Sequence, residues 1–400
     1  MNDPQTTAPS SLLVFILALG AGIAVACLYY AQPILPLLQT DLQLSAQTIG
    51  WVPTLTQIGY AIGIFFLIPL GDRYNRRHLI LIKSLFLTVT LLWFSMSSGA
   101  ENILFFSFMI GILATMAQDI VPSAAILAPV GQHGRFVGTV MTGLLLGILL
   151  SRTVSGVISD WLGWRAMYQI AAFSVALVAI GLWRVLPQFK THVSLSYSAL
   201  LGSMLKLWQR YPALRHAALA QGLLSIAFSA FWSTLALMLA KQYHLGSTVA
   251  GAFGIAGAAG ALAAPVAGML SDHYGSHSVT KIGAVTVLLS FMLMFSMPVL
   301  SIHLQLIIIA IAAIGFDLGL QASLVAHQTL VYGLDPEARG RLNGVLFAGV
   351  FIGMALGSWL GNIMFVYGGW MFVVTLACIS AILSLLIRLY EGCRLAQQKS

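Results

Sequence analysis

The stretch LGDRYNRR (Leu70–Arg77) returns two hundred residues later as LSDHYGSH (Leu270–His277), and each copy sits between two long apolar runs. Those flanking the first copy lie near Thr48–Leu70 and His78–Ser98; those flanking the second lie near Ser247–Leu270 and Val279–Val299. Further matches occur at an offset of 206 residues. Gly134-Arg135-Phe136-Val137-Gly138 matches Gly340-Arg341-Leu342-Asn343-Gly344, and Gly163-Trp164 matches Gly369-Trp370. Small residues also recur every fourth position in two corresponding runs, at Gly143, Gly147, Ser151 and Ser155 and at Gly349, Gly353, Gly357 and Gly361. Agreement at several separate places argues for duplication of one unit.

Each unit holds six apolar runs. A membrane helix needs roughly 20 mostly apolar residues to cross about 30 Å of hydrocarbon. Besides the four above, spans are predicted near Leu12–Pro36, Asn102–Ala128, Phe136–Ser159 and Ala166–Leu186, then near Leu214–Leu239, Leu304–Tyr332, Leu342–Ile363 and Trp370–Leu389. Composition agrees: 8% of the 400 residues are charged and 59% hydrophobic, against about 25% and about 45–50% in soluble proteins. A soluble enzyme of this length, a nucleic-acid binder and a disordered chain are all excluded. The expected fold is an all-α membrane protein of two pseudo-symmetric six-helix bundles. Its N-terminal half covers 1–186, a polar cytoplasmic linker 187–212, and its C-terminal half 213–400.

Basic residues beside the spans set orientation. With the N-terminus inside, 16 of the 19 Lys and Arg fall on the cytoplasmic side, leaving Arg165 and Lys241 outside and Arg152 within a span. Both termini are expected in the cytoplasm. The first eleven residues carry no Lys or Arg, so the first apolar run reads as a retained span rather than a signal peptide. Cys27, Cys378 and Cys393 are too few and scattered for a disulfide framework or metal site.

The loop Gly71-Asp72-Arg73-Tyr74-Asn75-Arg76-Arg77, set in twelve spans of two halves, resembles the signature of the major facilitator superfamily of secondary transporters. The family pattern is Gly, three residues, Asp, Arg or Lys, one residue, Gly, Arg, Arg. Here Ile68 replaces the first Gly and Asn75 the second, and Asn is expected to tolerate the same left-handed turn. LYYAQPILPL (Leu28–Leu37), VPTLTQIGYAIG (Val52–Gly63) and GLLLGILLSRTVSG (Gly143–Gly156) are similar to the arabinose-efflux-like, drug–proton antiporter branch. The resemblance implies alternating access in a bacterial inner membrane, with a small-molecule substrate and protons as partners and no cofactor. Antiporters of the superfamily often carry a Gly-Pro-rich stretch in span five. Ile148 and Ser151-Arg152 depart from it, so the direction of transport rests on the branch resemblance alone.

Carried onto this chain, the family's cytoplasmic gate would involve Asp72 and Arg73, with Arg76 and Arg77 beside them and Asp272 at the equivalent point of the second half. Arg73, Arg76 and Arg77 also act as positive-inside anchors. The small-residue ladders are read as helix-packing faces. In the resembled fold spans five and eight, and two and eleven, cross between the halves, where smooth faces would let them rock.

Ionisable groups inside spans cost about 2.5–3.5 kcal/mol each and usually mark a pathway or an ion pair. Three are predicted to lie deep: Asp119, Arg152 and Asp317. Counting about 1.5 Å per residue from Asp160, His303 and Glu101, Arg152 lies roughly 12 Å below the outer surface, Asp317 roughly 21 Å and Asp119 roughly 27 Å. Depth therefore favours an Arg152–Asp317 pair across the halves, either a static bridge or a pair broken by protonation or substrate. Asp119, three residues before Pro122, is expected either to face the inward cavity with no special task or to bind a proton or cation, behind Asp317 in that role, and His327 to be a packing residue. Candidate cavity residues are Tyr29, Tyr30 and Gln32 in span one, Gln57 in span two, Gln221, Ser225 and Trp232 in span seven, and Gln321 and Gln328 in span ten. Aromatic rings with amides suit a moderately apolar ligand, and Arg152 suits an anionic one.

No phosphate-binding loop, His-Glu-x-x-His zinc pattern or Gly-x-Ser-x-Gly elbow is present. The chain is expected to be a monomeric transporter rather than an enzyme, working as a proton-coupled exporter. An importer or uniporter of a possibly anionic metabolite is the alternative within transport, and a non-transporting sensor or scaffold the alternative outside it.

Overall fold

The structure, a computed structural model, describes residues 11–129, 132–189, 196–261, 268–269, 271, 273–335 and 338–397. Ten helices among them are long and apolar enough to cross a membrane, and shorter apolar helices, Ser11–Ala26 and Ser247–Gly257, stand where spans one and eight were predicted. The spans become Ala46–Leu67 (two), Arg76–Ser95 (three), Ala100–Leu127 (four), His133–Leu162 (five), Trp164–Val185 (six) and Pro212–Tyr243 (seven). Ser276–Leu293 (nine), Ile302–Tyr332 (ten), Arg339–Gly368 (eleven) and Trp370–Gln397 (twelve) follow. Asp272, Lys190 and the Leu270 end of span eight lie outside the described residues.

The repeated Gly-Trp pairs have a backbone cause. Gly163 at φ +85° and Gly369 at φ +72° turn the chain into spans six and twelve through a region that side chains resist. Gly275 does the same before span nine at φ +81°. Its counterpart Asn75 corrects the sequence expectation, because its φ is −60° and no left-handed turn forms. Instead the Asn75 side chain caps span three, accepting from the Arg77 N–H at 3.0 Å, and also accepts from the Phe189 N–H at 3.2 Å.

The glycine ladders bind spans within each half rather than smoothing the surface between halves. A Cβ on Gly143 or Gly147 would run into the Ala18 or Gly22 carbonyl of span one. Likewise Gly353 and Gly357 lie on Gly222 and Ile226 of span seven. Spans one and five therefore pack as seven and eleven do, which is the packing a duplicated unit should show. Among the described residues, Gly156, Gly251 and Gly254 bring spans five and eight together across the halves.

Polar composition concealed one element. Within the linker, Tyr197–Arg210 forms a helix capped by Ser196, with Leu200, Met204 and Leu207 buried on one face. Their spacing of four and three is that of an amphipathic helix. The Tyr197 hydroxyl donates to the Phe66 carbonyl of span two at 2.7 Å, while Met204 lies beside Gly344 of span eleven. The linker helix thus touches both halves.

Candidate functional site

Span one is interrupted. Its first helix ends at Ala26, a turn runs through Ala31, a short 3-10 segment covers Gln32–Ile34, and helix resumes over Leu35–Asp41. Pro33 and Pro36 supply no N–H to carry an unbroken helix. The Ser155 hydroxyl of span five donates to the freed Tyr30 carbonyl at 2.6 Å. Broken helices within a membrane are tolerated where protein groups or a cavity meet the loose backbone, and transporters place binding groups there. Tyr29, Tyr30 and Gln32 sit on this break.

Arg152 of span five points at it and is buried, 2% exposed. Its Nε donates to Gln32 Oε1 at 2.7 Å. Three aromatic rings surround the guanidinium: Trp232 with its centroid 4.2 Å from Cζ, Tyr29 at 4.7 Å and Phe228 at 5.7 Å. Each such contact is worth about 0.5–2 kcal/mol, most when water is excluded. Phe228 escaped the sequence reading although it lies one helical turn before Trp232, on the same face. Asp317 is also buried, and with Trp232 it closes on span eight at Gly257. A Cβ there would lie 2.8 Å from Trp232 Cζ2 and collide with Asp317 Oδ2. The pair predicted from depth is corrected in detail. Arg152 and Asp317 lie in each other's field but form no ion pair among the described residues, because Gln32 and the aromatic rings hold the guanidinium.

Several buried polar atoms have no partner: Arg152 Nη2, Gln32 Nε2 and Trp232 Nε1 in this cluster, and Ser229 Oγ and both amide atoms of Gln57 on spans seven and two. An unpaired buried polar atom costs about 1–3 kcal/mol, so such a set is a place to look for a ligand. Other candidates are engaged elsewhere. Gln221 meets His327 Nδ1 at 2.9 Å and the Leu320 carbonyl at 3.3 Å, and the Ser225 hydroxyl donates to the Gln221 carbonyl. Gln328 donates to Asn343 at 3.2 Å, and Gln321 is half-buried. His327 is wholly buried in the first of these contacts, as a packing residue would be.

Asp119 does not face an open cavity. It is fully buried and paired with Lys83 of span three at 2.6 Å, with Oδ1 left unpaired. The orientation count puts Lys83 with the cytoplasmic-side cations, yet it lies seven residues past Arg76, about 10 Å inside the span. The C-terminal half buries charge of its own. Arg388 pairs with Glu391, donates to Thr280 and lies 2.8 Å from His277 Nδ1. Arg388 was not foreseen either. In the loop between spans two and three Asp72 pairs with Arg76 at 2.8 Å, the Arg77 guanidinium donates to the Trp183 carbonyl at 2.6 Å, and Arg73 lies over Tyr74.

At the opposite ends of the spans the halves are tied together. Asn362 of span eleven donates to the Ala46 carbonyl at 3.1 Å, and Gln47 to the Tyr367 hydroxyl at 3.2 Å. The Asp160 carboxylate accepts from the Ser247 and Thr248 N–H groups at the start of span eight, at 3.3 and 2.7 Å. Nearby, at the exposed tip of the short helix that ends span one, Asp41 accepts from Arg165 and, at 2.9 Å, from Trp164 Nε1; these bonds hold its carboxyl below the usual range. On the side of the loop between spans two and three a cavity of about 150 Å³ separates Asp72, Arg76 and Gln118 from Arg341, Asn343 and Phe347. The halves are therefore sealed by hydrogen bonds at one end, and a small cavity lies between them at the other. Among the described residues no group of three His, Cys, Asp or Glu could hold a metal ion.

Comparison with known proteins agrees with this architecture. The family described as the Major Facilitator Superfamily matches residues 14–333. "Uncharacterized transporter YgaY" of Escherichia coli O157:H7 is 37% identical over 379 residues, 94% of this chain and 95% of that protein. "Probable transporter SCO4007" of Streptomyces coelicolor is 31% identical over 376 residues, covering 92% and 86%. Among solved structures, a bacterial homolog of the human lysosomal transporter Spinster, inward-facing and unoccupied, superimposes with a TM-score of 0.71 at 16% identity, over 98% of this chain and 96% of that one. The nucleoside transporter NupG superimposes with a TM-score of 0.74 at 14% identity, over 94% and 98%.

Proposed function

The chain belongs to the major facilitator superfamily of transporters, and from that premise we propose that it carries a small molecule by alternating access with protons coupled at Asp317 and Arg152. One observation carries this. Arg152 from the N-terminal half is buried among Trp232 and Phe228 of the C-terminal half, beside Asp317 of that half. Rocking the halves apart must separate these groups, so their charge state and occupancy bias which end is open. Proton uptake by Asp317 or substrate binding at Arg152 shifts that balance. Asp72, Arg73, Arg76 and Arg77, with Asp272, act at the cytoplasmic end, where the gate loop would close against span eleven. Asp119, held by Lys83, is a positioning group in the same half.

The chain would work as a monomer in the bacterial inner membrane, with both termini in the cytoplasm. Export is the direction that the branch resemblance implies. Uptake of an anionic metabolite is the second reading, and the unpartnered buried N–H of Arg152 supports its anionic part. Reconstituted vesicles carrying an internal pH dye and challenged with a panel of small molecules test both. A substrate-dependent proton flux is expected in the wild type and not in Asp317→Asn, and its sign gives the direction. Flux with unchanged proton dependence in Asp317→Asn would remove Asp317 from the coupling role. No flux with any ligand would favour a sensor or scaffold.

A further inference from the structure

We infer that the ligand of the Arg152 site is a small organic monocarboxylate with an apolar body, and that it binds together with a proton on Asp317. The inference rests on the reading of this site as the transport site and on uptake as the direction.

The donor inventory leads there. A guanidinium only donates, so Gln32 must turn its oxygen to Arg152 Nε, which leaves the Gln32 amide NH2 as a free donor. Arg152 Nη2 is a donor as well, and both are buried without an acceptor. The Trp232 indole faces the Asp317 carboxylate, but short of ordinary hydrogen-bond geometry. A ligand that meets this set must therefore bring acceptors. With Trp232 and Tyr29 over the guanidinium and Gln32 on Nε, Arg152 Nη2 is left as an unmet charged donor, and a carboxylate oxygen is its natural partner. Apolar walls are at hand as well: Phe228 and the face of Trp232 lie beside the guanidinium, and Gly254 and Gly257 of span eight carry no side chain there. An organic anion fits such walls better than a strongly hydrated inorganic one.

Charge balance supplies the proton. Arg152 and Asp317 together are neutral, and the other groups facing Asp317 are Trp232 and Tyr29. An anion arriving alone would leave one net negative charge in the membrane interior, which is costly. A proton taken from the adjoining water onto the Asp317 carboxyl restores neutrality, so anion and proton assist each other's binding. Reciprocity then makes them travel in the same direction. Uptake is driven by an inward proton gradient, and outward movement occurs only down the gradient of the anion.

Benzoate, benzamide and benzamidine share a shape and carry one negative, no and one positive charge. Thermal unfolding of the purified chain with each probe reads binding, and a pH indicator in weak buffer reads protons. Benzoate alone is expected to raise the melting temperature, taking up about one proton per site. Arg152→Gln should weaken benzoate roughly 10- to 100-fold, while Asp317→Asn should bind it without proton uptake. Gln32→Leu, which leaves both charges in place, should weaken it also and guards against misfolding of the arginine variant. Stabilisation by benzamidine or benzamide equal to that by benzoate overturns the anionic class while leaving the site intact. A response to inorganic phosphate alone overturns the apolar body. Benzoate stabilisation indifferent to Arg152→Gln, Gln32→Leu and Asp317→Asn alike removes the site itself. No response to any probe overturns the inference.

Discussion

Lys83→Met should destabilise this protein far more than an average surface change, because it strands Asp119. The carboxylate has no solvent exposure, its Oδ2 lies 2.6 Å from Lys83 Nζ, and Oδ1 already lacks a partner. Removing one member of a buried ion pair costs about 3–5 kcal/mol, since the surviving charge is left without compensation. Replacing both with apolar groups of similar size is often neutral or stabilising. The double variant Lys83→Met/Asp119→Leu should therefore recover most of the loss, an interaction energy of several kcal/mol on the cycle. Unfolding in mixed micelles, followed by circular dichroism on the four proteins of the cycle, measures it. A single variant within about 0.5 kcal/mol of wild type would refute the buried bridge, and so would a double variant no better than the single. Transport by a stable double variant would assign the pair to structure rather than to coupling.

Gly353→Leu should reduce the yield of folded protein on size-exclusion chromatography, since any side chain there meets the Gly222 backbone of span seven; overpacking of this kind costs about 1–3 kcal/mol. Asp160→Asn removes the charge that caps span eight across the halves, a contact worth about 0.3–1 kcal/mol. Faster labelling of a cysteine placed at Gly246 would report the loosened seal. Asp41 gives a pH signature, because its carboxyl is held low by Arg165 and Trp164 in the folded state. Its contribution is present above the unfolded value of about 3.9 and lost as pH falls through the lower folded value. Asp41→Asn should therefore melt below wild type at neutral pH, with the gap closing in acid.

The duplicated architecture was legible because it is written in long-range pattern. Apolar runs of span length, the repeated loop and the Gly-Trp pairs each carry a backbone or solvent cause that survives without coordinates. What stayed hidden depended on which face a residue presents. Lys83 counts as a span-end cation by position, and only the packing of span three on span four turns it towards Asp119. Arg388 is similar, lying among the polar residues of the C-terminal end yet buried against Thr280 and His277. The glycine ladders revealed close helix approach but not the partner, which proved to be spans one and seven. Depth counting brought Arg152 and Asp317 to neighbouring levels. It could not show that Gln32 and three aromatic rings would take the guanidinium first, because the Gln32 and Tyr29 contacts depend on the break in span one and those of Trp232 and Phe228 on the face that span seven presents.

The claim at the centre is that protonation of Asp317 biases which end of the molecule is open. Spin labels on cysteines at Trp161 and Val299 read it directly: the two are highly exposed, belong to opposite halves and lie on the sealed side. In a background lacking the native cysteines, the distance between labels is expected to change with acidification in the wild type. With Asp317→Asn it should stay fixed across the same pH range. A distance that titrates identically in both proteins would contradict the account.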